Sequence, residues 1–433
     1  MTSTKRILLT CLLATMLAGC SDEAEPAAEE TTRETEPAVD EPTPVETSFV
    51  SITTMAFTDE GTLLLGDSGT GKVHALTPPA ATNPQAQAAY NLRNIDTKIA
   101  ELLGTTTANV RVRDLAIHPT TKEAYLAVSR VSGDEYASAI VVLNQGGDAR
   151  LLDPTETGET LSIPRAPADG FAFYGDFPSR DLTFTDLEVH EGKLYIAGLS
   201  NADFTSTLWT SSLPFEGEPD TATVEIFHAV HNQQETRAPI RTMTIVDIGG
   251  TDYLIAAYTC TPLVAIPVQE IQDGARITGK TIAELGFGNT PGDLLAFNGQ
   301  DAQQNAFPVL FLQNKNQSAQ VIAMQAIEAA VAGDGLTEPV GFDRVDLNAS
   351  SMPMVSVLQV DEQDPQHLAT IRRDPEQGDL ELVSFLKNVY FRLSDFQSEY
   401  EIPGYQYAEA QAQIRGFQNM MKRDEGYASF VSE

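Results

Sequence analysis

The chain is poor in cysteine, tryptophan and basic residues. Its 433 residues include only 3 Cys and 1 Trp, and 27 Lys+Arg stand against 61 Asp+Glu. The resulting formal net charge of −34 argues against a nucleic-acid-binding protein, because such proteins neutralise phosphates with basic patches. A hydrophobic content of 42% can supply a substantial core, which excludes a wholly disordered chain.

The first twenty residues have the pattern of a secretion signal. Lys5 and Arg6 precede a short apolar stretch that is too short to span a bilayer comfortably. This stretch ends in Leu17-Ala18-Gly19-Cys20, which resembles the lipobox of bacterial lipoproteins. The resemblance implies removal of residues 1–19 and attachment of fatty acyl groups, palmitate among them, to Cys20. A second interpretation is an ordinary secretory leader with a chance cysteine.

The lipobox resemblance also implies a location. The mature protein is expected in the bacterial cell envelope, anchored in the lipid bilayer through Cys20. Ser21 follows the cysteine where proteobacterial lipoproteins kept at the inner membrane have Asp, so the pattern favours the outer membrane. The protein is then expected to face the periplasm or the cell surface.

Residues 20–48 are predicted to be a disordered tether. Residues 21–48 contain ten acidic residues and one basic residue, Arg33, interleaved with Ala, Pro and Thr. Such a segment cannot bury enough apolar surface to offset its ordering entropy, and its charges repel one another. The leader's +2 and the tether's −9 leave a net charge of −27 for residues 49–433. The predicted globular domain is therefore itself acidic.

The mature domain is expected to contain no intramolecular disulfide. Cys11 is lost with the leader and Cys20 is acylated, so Cys260 is the remaining free cysteine. Stability must then come from the hydrophobic core.

Residues 49–433 predict an all-β fold. Short apolar runs rich in β-branched residues alternate with Gly, Asp, Asn and Pro turns. A strand–turn–strand unit recurs six times, and a third strand follows each copy. The first strands of the units include Thr54–Phe57, Asp114–Ile117, Asp186–Val189, Thr242–Ile245, Asp293–Ala296 and Val355–Val360.

Six such units in series resemble a six-bladed β-propeller, with seven blades as the alternative count. The units lie 51 to 72 residues apart, which leaves room for insertions. Helical insertions are expected at Gln85–Leu103 and, near the C-terminus, at Tyr407–Arg423. A large β-sandwich or two β-domains would also satisfy the pattern. The chain lacks the Gly-His and Trp-Asp marks of WD40 blades and the repeated tryptophans of eight-bladed quinoprotein dehydrogenases.

Residues 224–297 resemble a block found in uncharacterised secreted propeller proteins of bacteria. The block includes Val224 to His231, Pro239-Ile240-Arg241-Thr242, Ala256 to Val264 and Gly279 to Gly286. This resemblance implies a fold and no activity.

Two imidazoles and a thiol are candidate metal ligands. His228 and His231 precede the first strand of the fourth unit, and Cys260 lies in the turn between its second and third strands. In a propeller these two kinds of loop open on the same face. Zn(II) or Cu(I) suits that donor set. The alternative interpretation is that Cys260 is a small buried hydrophobe and that the histidines are ordinary loop residues.

A second candidate site is the end of the central channel. Asp114, Asp186 and Asp293 occupy matching positions before three innermost strands, so repeat logic brings their side chains close together. They are expected to hold Ca²⁺, as in six-bladed lactonase-like propellers, or a cationic ligand. A simpler role is to cap blade turns through backbone N–H groups. The same face is expected to gather basic residues into a ligand patch: Arg113, Arg130, Arg241 and Arg372.

Together these features predict a lipid-anchored binding or scaffolding propeller that takes a small ligand or a protein partner on this face. No complete catalytic motif accompanies the anchor, tether and repeats. The alternative is a metal-dependent enzyme, either a calcium-dependent hydrolase or a copper or zinc protein.

Overall fold

The computed structural model describes residues 49–79, 81–132, 135–152, 158–167, 172–174, 177–300, 306–342, 345, 347–354, 356–374, 377–395 and 411–427. The predicted leader, Cys20 and the tether lie outside these residues. No helix in the described ranges is long and apolar enough to cross a bilayer.

The strands follow one another along the whole described chain. They are β1 Ile52–Phe57, β2 Leu63–Asp67, β3 Lys72–Leu76, β4 Asn91–Leu92, β5 Val110–Ile117, β6 Ala124–Ser132, β7 Glu135–Leu143, β8 Ala149–Leu151, β9 Thr160–Ser162, β10 Ala172–Tyr174, β11 Phe177–Pro178, β12 Asp186–His190, β13 Lys193–Leu199, β14 Ser206–Ser212, β15 Asp220–His228, β16 Gln233–Glu235, β17 Ile240–Ile248, β18 Thr251–Tyr258, β19 Pro262–Pro267, β20 Arg276–Glu284, β21 Pro291–Gln300, β22 Ala306–Asn314, β23 Ala319–Ala323, β24 Ser350–Met352, β25 Val357–Glu362, β26 His367–Arg373 and β27 Leu380–Leu386. The helices are α1 Ile95–Leu103, α2 Met324–Ala332 and α3 Gln411–Asp424.

These strands build a β-propeller, as the repeats predict. Among the described residues, six four-stranded antiparallel units occur, here called blades 1 to 6 by the position of their first strand in the chain. From the channel outward they are β1-β2-β3-β9, β5-β6-β7-β8, β12-β13-β14-β15, β17-β18-β19-β20, β21-β22-β23-β24 and β25-β26-β27-β4. Blades 3 and 4 form one continuous sheet, because their outermost strands β15 and β20 pair in parallel.

The order of the blades in space differs from a simple series. Strand β1 lies between the innermost strands of blades 2 and 3, and β5 lies between those of blades 1 and 6. The ring therefore reads 2, 1, 3, 4, 5, 6 and closes from blade 6 to blade 2. Two outer strands are exchanged to achieve this: β4, from the segment after blade 1, completes blade 6, and β9, from the segment after blade 2, completes blade 1.

The hydrophobic core is divided among the contacts between neighbouring blades. Leu63 and Leu65 pack in one cluster with residues of blade 2, while Leu64 packs in another with Trp209 of blade 3. Alternate residues of a strand face opposite sides of its sheet, so one apolar strand serves both neighbours. Further clusters lie between blades 2 and 6, 3 and 4, 4 and 5, and 5 and 6. The packing thus follows the same ring order.

The helical prediction for Gln85–Leu103 is only half right. Helix α1 begins at Ile95, and the preceding Asn91 and Leu92 form the edge strand that pairs with Val383 and Leu382. Asn94 adopts the left-handed conformation (φ 52°), which separates strand from helix. Near the C-terminus, α3 accounts for the described part of the second predicted helix, and residues 407–410 lie outside the described ranges.

Candidate functional site

Five of the six innermost strands share a shift in β-sheet register near one end of the central channel. The pairing of β1, β5, β17, β21 and β25 with the next strand shifts register at the same level. A bulge re-aims the extra residue. The extra residue is Arg113 in β5 and Arg241 in β17. Both side chains line a small cavity at this level of the channel.

At this level of the channel, aspartate alternates with a neutral polar residue around the ring. In spatial order the residues are Thr54, Asp186, Thr242, Asp293, Gln359 and Asp114. This alternation has approximate threefold symmetry and exists only because blades 1 and 2 are exchanged relative to a serial ring. Chain order alone would place two aspartates side by side.

Each aspartate joins its blade to the next one. Asp114 Oδ2 accepts the N–H of Met55 at 2.5 Å, Asp186 Oδ2 that of Met243 at 2.6 Å, and Asp293 Oδ2 that of Val360 at 2.7 Å. Asp114 and Asp186 also accept the N–H of the residue that follows them. The carboxyls therefore bond backbone groups as the simpler role requires, but all three also do so between blades.

A second layer of acids lies one step further along the channel. Asp361 Oδ2 accepts the N–H of Ile117 at 2.7 Å, which joins blade 6 to blade 2. Glu188 Oε1 accepts from the N–H of Ile245 and the hydroxyl of Thr244, which joins blade 3 to blade 4. Sequence reasoning missed both acids. Both acids could have been predicted from the sequence, because they lie two residues after Asp186 and Gln359 and therefore on the same face of the strand.

The five carboxyl groups of the channel have raised pKa values because the channel encloses them. Burial, more than the neighbouring charges, raises the pKa of Asp186, Asp293, Glu188 and Asp361 to about 7. The pKa of Asp114 is raised by burial and by the charges of Asp293 and Asp186. All five side chains are partly exposed to the channel itself. At neutral pH the layer therefore carries far less than its full negative charge.

A basic neck closes the channel on the side where the bulges lie. Arg113, Arg241 and Lys315 line a cavity of about 60 Å³ together with the three aspartates, and the other lining residues are Thr53, Thr54, Thr185, Gly292 and Gln359. Arg113 Nε donates to Ser129 and the guanidinium lies 3.6 Å from Asp181. Burial lowers the pKa of Arg241, and the charge of Asp186 acts against this shift. Burial also lowers the pKa of Lys315, and the charge of Asp293 acts against that shift.

On the other side of the aspartates the channel widens into an acidic cavity of about 420 Å³. Its walls include the three aspartates, Glu188 and Asp361, and nearer the opening Asp59, Glu362, Asp364 and Lys122. The channel is therefore polarised: Arg113, Arg241 and Lys315 lie at the narrow end, whereas carboxyls outnumber Lys122 in the wide cavity.

The other two predicted ligand residues lie away from this channel. Arg372 is 1% exposed and its guanidinium is held by Glu381 at 3.0 Å and by Asp395. Arg372 lies within strand β26 and not in a loop that opens on the channel face. Arg130 Nη1 donates to the carbonyl of Leu103 at 3.3 Å. Neither residue lines the neck or the wide cavity.

The three aspartates do not form a compact cation cage in the described residues. They are not among the groups of three or more His, Cys, Asp or Glu whose donor atoms all lie within 4.8 Å of one another. Calcium ligands sit at about 2.3–2.6 Å from the ion, so a shared ion needs closer carboxylates. The arrangement is better suited to holding blades and shaping a channel.

By contrast, the structure brings His228, His231 and Cys260 together. One donor atom from each lies within 4.8 Å of the others, and the two imidazole centroids are 3.7 Å apart. His228 is buried at the end of β15, whereas His231 and Cys260 are exposed in neighbouring turns. Two acids that sequence reasoning did not assign, Glu235 and the fully buried Glu284, surround the group.

The charges of this group are strongly coupled. Burial lowers the pKa of His228, but contacts with Cys260, Glu235 and Glu284 outweigh it and raise the pKa to about 9. Burial likewise raises the pKa of Glu235, but the two histidines and Gln233 outweigh it and lower the pKa to about 2. At neutral pH the imidazolium of His228 and the carboxylate of Glu235 therefore form an ion pair.

Comparison with known proteins finds structural likeness only. No protein-family model and no curated protein matches the chain. The PQQ-bound aldose sugar dehydrogenase from Streptomyces coelicolor has 11% identity and a TM-score of 0.28, covering 79% of this chain and 96% of that one. Virginiamycin B lyase from Staphylococcus aureus has 7% identity and a TM-score of 0.31, covering 78% and 95%. Domains 1–2 of Drosophila Semaphorin 1b have 8% identity and a TM-score of 0.34, covering 86% and 99%. Matches this distant say nothing about activity, so the site itself must carry the functional argument.

Proposed function

We propose that the protein is a lipid-anchored binding protein of the bacterial envelope, and that the neck of its propeller binds the anionic group of a small ligand. The observation that carries the proposal is the state of Arg241 and Lys315. Within the described part of the chain, neither side chain makes a hydrogen bond or an ion pair within 4.0 Å, although both line the neck and feel the charges of Asp186 and Asp293. A guanidinium partly withdrawn from water without a partner calls for an anion.

The carboxyls beside the neck do not cancel this attraction. With pKa values near 7 for Asp186 and Asp293 and a raised pKa for Asp114, these groups are largely protonated below neutral pH. A protonated carboxyl can donate a hydrogen bond to an anion oxygen. The neck then offers three cations and up to three neutral donors.

The cavity sizes fit a small ligand with one anionic end. The neck, at about 60 Å³, has room for a group of the size of a carboxylate or phosphate. The adjoining wide cavity of about 420 Å³ has room for a further polar part of such a molecule. This layout favours capture of a small molecule over docking of a large protein surface.

Binding is tested by titration calorimetry with inorganic phosphate, acetate and succinate on the purified lipoprotein in detergent. We expect saturable binding of at least one anion and a loss of at least tenfold in affinity for Arg241→Gln. Arg130→Gln is the matched control and should bind normally. Absence of binding for all three anions, or equal affinity in both variants, would contradict the proposal.

The anchor is tested separately by metabolic labelling with an alkyne fatty acid. We expect label on the wild-type protein and none on Cys20→Ala, which should leave the membrane fraction. If Cys20→Ala still carries the label, the proposed anchor is wrong. That result would not bear on the proposed anion site.

A third test asks whether the protein is an enzyme. Hydrolysis or oxidation of any compound in a lactone and sugar panel, abolished by Asp186→Ala, would replace the binding role by a catalytic one.

A further inference from the structure

Three soft or borderline donors meet at the ends of blades 3 and 4. His228 ends β15, His231 lies in the turn before β16, and Cys260 lies in the turn between β18 and β19. Their donor atoms lie within 4.8 Å of one another. In a tetrahedral zinc site with bonds of about 2.0–2.3 Å, ligand atoms are separated by roughly 3.5 Å. Adjustments of about an ångström would complete such a site.

One carboxylate orients both imidazoles. Glu235 Oε1 lies 2.9 Å from Nδ1 of His228 and 2.7 Å from Nδ1 of His231. Histidines that bind metals typically engage a carboxylate through the ring nitrogen that does not touch the ion. Here the Nε2 atoms are then left for a metal. That of His228 contacts the hydroxyl of Thr261 at 3.0 Å, a contact that a metal bond would replace.

A second carboxylate ties together the two segments that carry the ligands. Glu284 is 0% exposed; its Oε1 accepts the N–H of Ala229 at 2.8 Å, and its Oε2 accepts the hydroxyl of Thr261. These are the residues next to His228 and Cys260. The carbonyl of Cys260 is also held by Asn289 at 2.7 Å, and Cys260 has a left-handed backbone (φ 76°). The cysteine is therefore fixed in place instead of lying in a loose turn.

The chemistry of the donors selects the ion. A thiolate and two imidazoles favour Zn(II) or Cu(I), whereas Ca²⁺ and Mg²⁺ require oxygen ligands. Because His231 and Cys260 are exposed, an ion can enter from solvent and a fourth position is open to an exogenous ligand. We propose that His228, His231 and Cys260 form a binding site for a thiophilic metal ion, independent of the anion site in the neck.

The probes are Zn²⁺ alone and Cu(I) alone, titrated against a chromophoric chelator on the purified lipoprotein. We expect one equivalent of at least one of these ions to bind. Cys260→Ser and His231→Ala change exposed residues, so they should fold normally, with unchanged melting temperature of the apo-protein, yet bind at least tenfold more weakly. Glu235→Gln should weaken binding by about tenfold, because it removes the orienting carboxylate.

A spectroscopic readout identifies the thiolate directly. Cobalt(II) in the wild-type site should give a thiolate-to-cobalt charge-transfer band that is absent in Cys260→Ser. His190→Ala is the control, because His190 lies near Glu191 and Asp252 in a separate group. The site is refuted if neither ion binds stoichiometrically, if Cys260→Ser binds like the wild type, or if binding is lost in His190→Ala instead.

Discussion

Asp114 accepts the backbone N–H of Met55 at 2.5 Å, although the two residues lie 59 positions apart in the chain and in different blades. The carboxyl is thus part of the seam between blades 2 and 1. The matching contacts of Asp186 and Asp293 form seams between blades 3 and 4 and between blades 5 and 6. The residues that sequence reasoning assigned to a ligand therefore also hold the ring together.

Removal of the Asp114 carboxyl should loosen this seam. Asp114→Ala leaves the N–H groups of Met55 and Leu115 without their acceptor, so we expect the free energy of unfolding to fall by about 1–3 kcal/mol. Asp114→Asn keeps an acceptor and relieves repulsion by the other two aspartates, so it should cost clearly less. Chemical denaturation measures both, with the exposed Asp59→Ala as control. Equal losses for Ala and Asn would show that the hydrogen bonds are unimportant.

The acidic layer should make the protein less stable as the pH rises through 7. The folded-state pKa of Asp186 and of Asp293 is about 7, against 3.8 for an ordinary Asp, so between these values the folded state binds more protons than the unfolded state. The protonated carboxyls favour the folded state at low pH, and this stabilisation is lost as the pH rises through 7. We expect the melting temperature to fall between pH 5 and pH 8. The triple variant Asp114→Asn, Asp186→Asn, Asp293→Asn should flatten that slope, and an unchanged slope would contradict this origin.

Arg372 should matter for stability and not for ligand binding. The side chain is buried between Glu381 and Asp395, so Arg372→Ala removes the closest cation from both carboxylates and leaves Glu381 only the more distant Arg93 at 3.6 Å. We expect a loss of about 3–5 kcal/mol in the free energy of unfolding. The neighbouring, exposed Arg373→Ala is the control. Calorimetry at a temperature where the variant is folded should give unchanged anion affinity, whereas a specific loss of affinity would return Arg372 to the ligand site.

His367 should fasten helix α3 to blade 6 in a pH-dependent way. Its Nδ1 contacts Asp364 at 3.0 Å and its Nε2 contacts Asp424 of α3 at 3.2 Å. Burial lowers the pKa of His367, but these two carboxylates outweigh it and raise the pKa to about 9. Because the pKa of His367 is higher in the folded state, these contacts contribute their full stabilisation below about pH 6.5. This stabilisation is lost as the pH rises through 9.

Amide hydrogen exchange can follow this docking. At pH 7, Asp424→Asn should speed exchange in α3, whereas the exposed Asn419→Ala on the same helix should not. Unchanged protection in Asp424→Asn would mean that the apolar contacts of Met421 with Leu386 and Leu393 suffice.

The strands were predictable, whereas the ring order was not. Period-two alternation and turn residues act locally, so the three strands predicted for each repeat match the first three strands of a blade, whereas the fourth strand of each blade was not predicted. The pairing of Asn91 with Val383 joins residues nearly 300 positions apart, and nothing in a two-residue edge strand encodes that partner. The same gap in local information explains why part of this segment was predicted as helix.

The sites were partly predictable for a similar reason. Matching repeat positions indicated Asp114, Asp186 and Asp293, and turn position indicated that Cys260 lies near His228. Position alone could not distinguish a side chain aimed at the channel, such as Arg241, from one sealed in an ion-pair network, such as Arg372. It also could not show that Glu284 bridges the two ligand segments, because that depends on pairing between β19 and β20.

The exchange of outer strands constrains the order in which the chain can fold. Blade 1 lacks its edge until Thr160–Ser162 has emerged, and β4 has no partner until Leu380–Leu386 follows it. The domain cannot be assembled one blade at a time from its N-terminal side, because β4 pairs only with a strand near the C-terminal end of the sheet-forming chain. Closing such long-range contacts is slow and leaves strand edges exposed meanwhile. A truncation within blade 6 would therefore leave β4 without its partner strand and the ring open between blades 5 and 2.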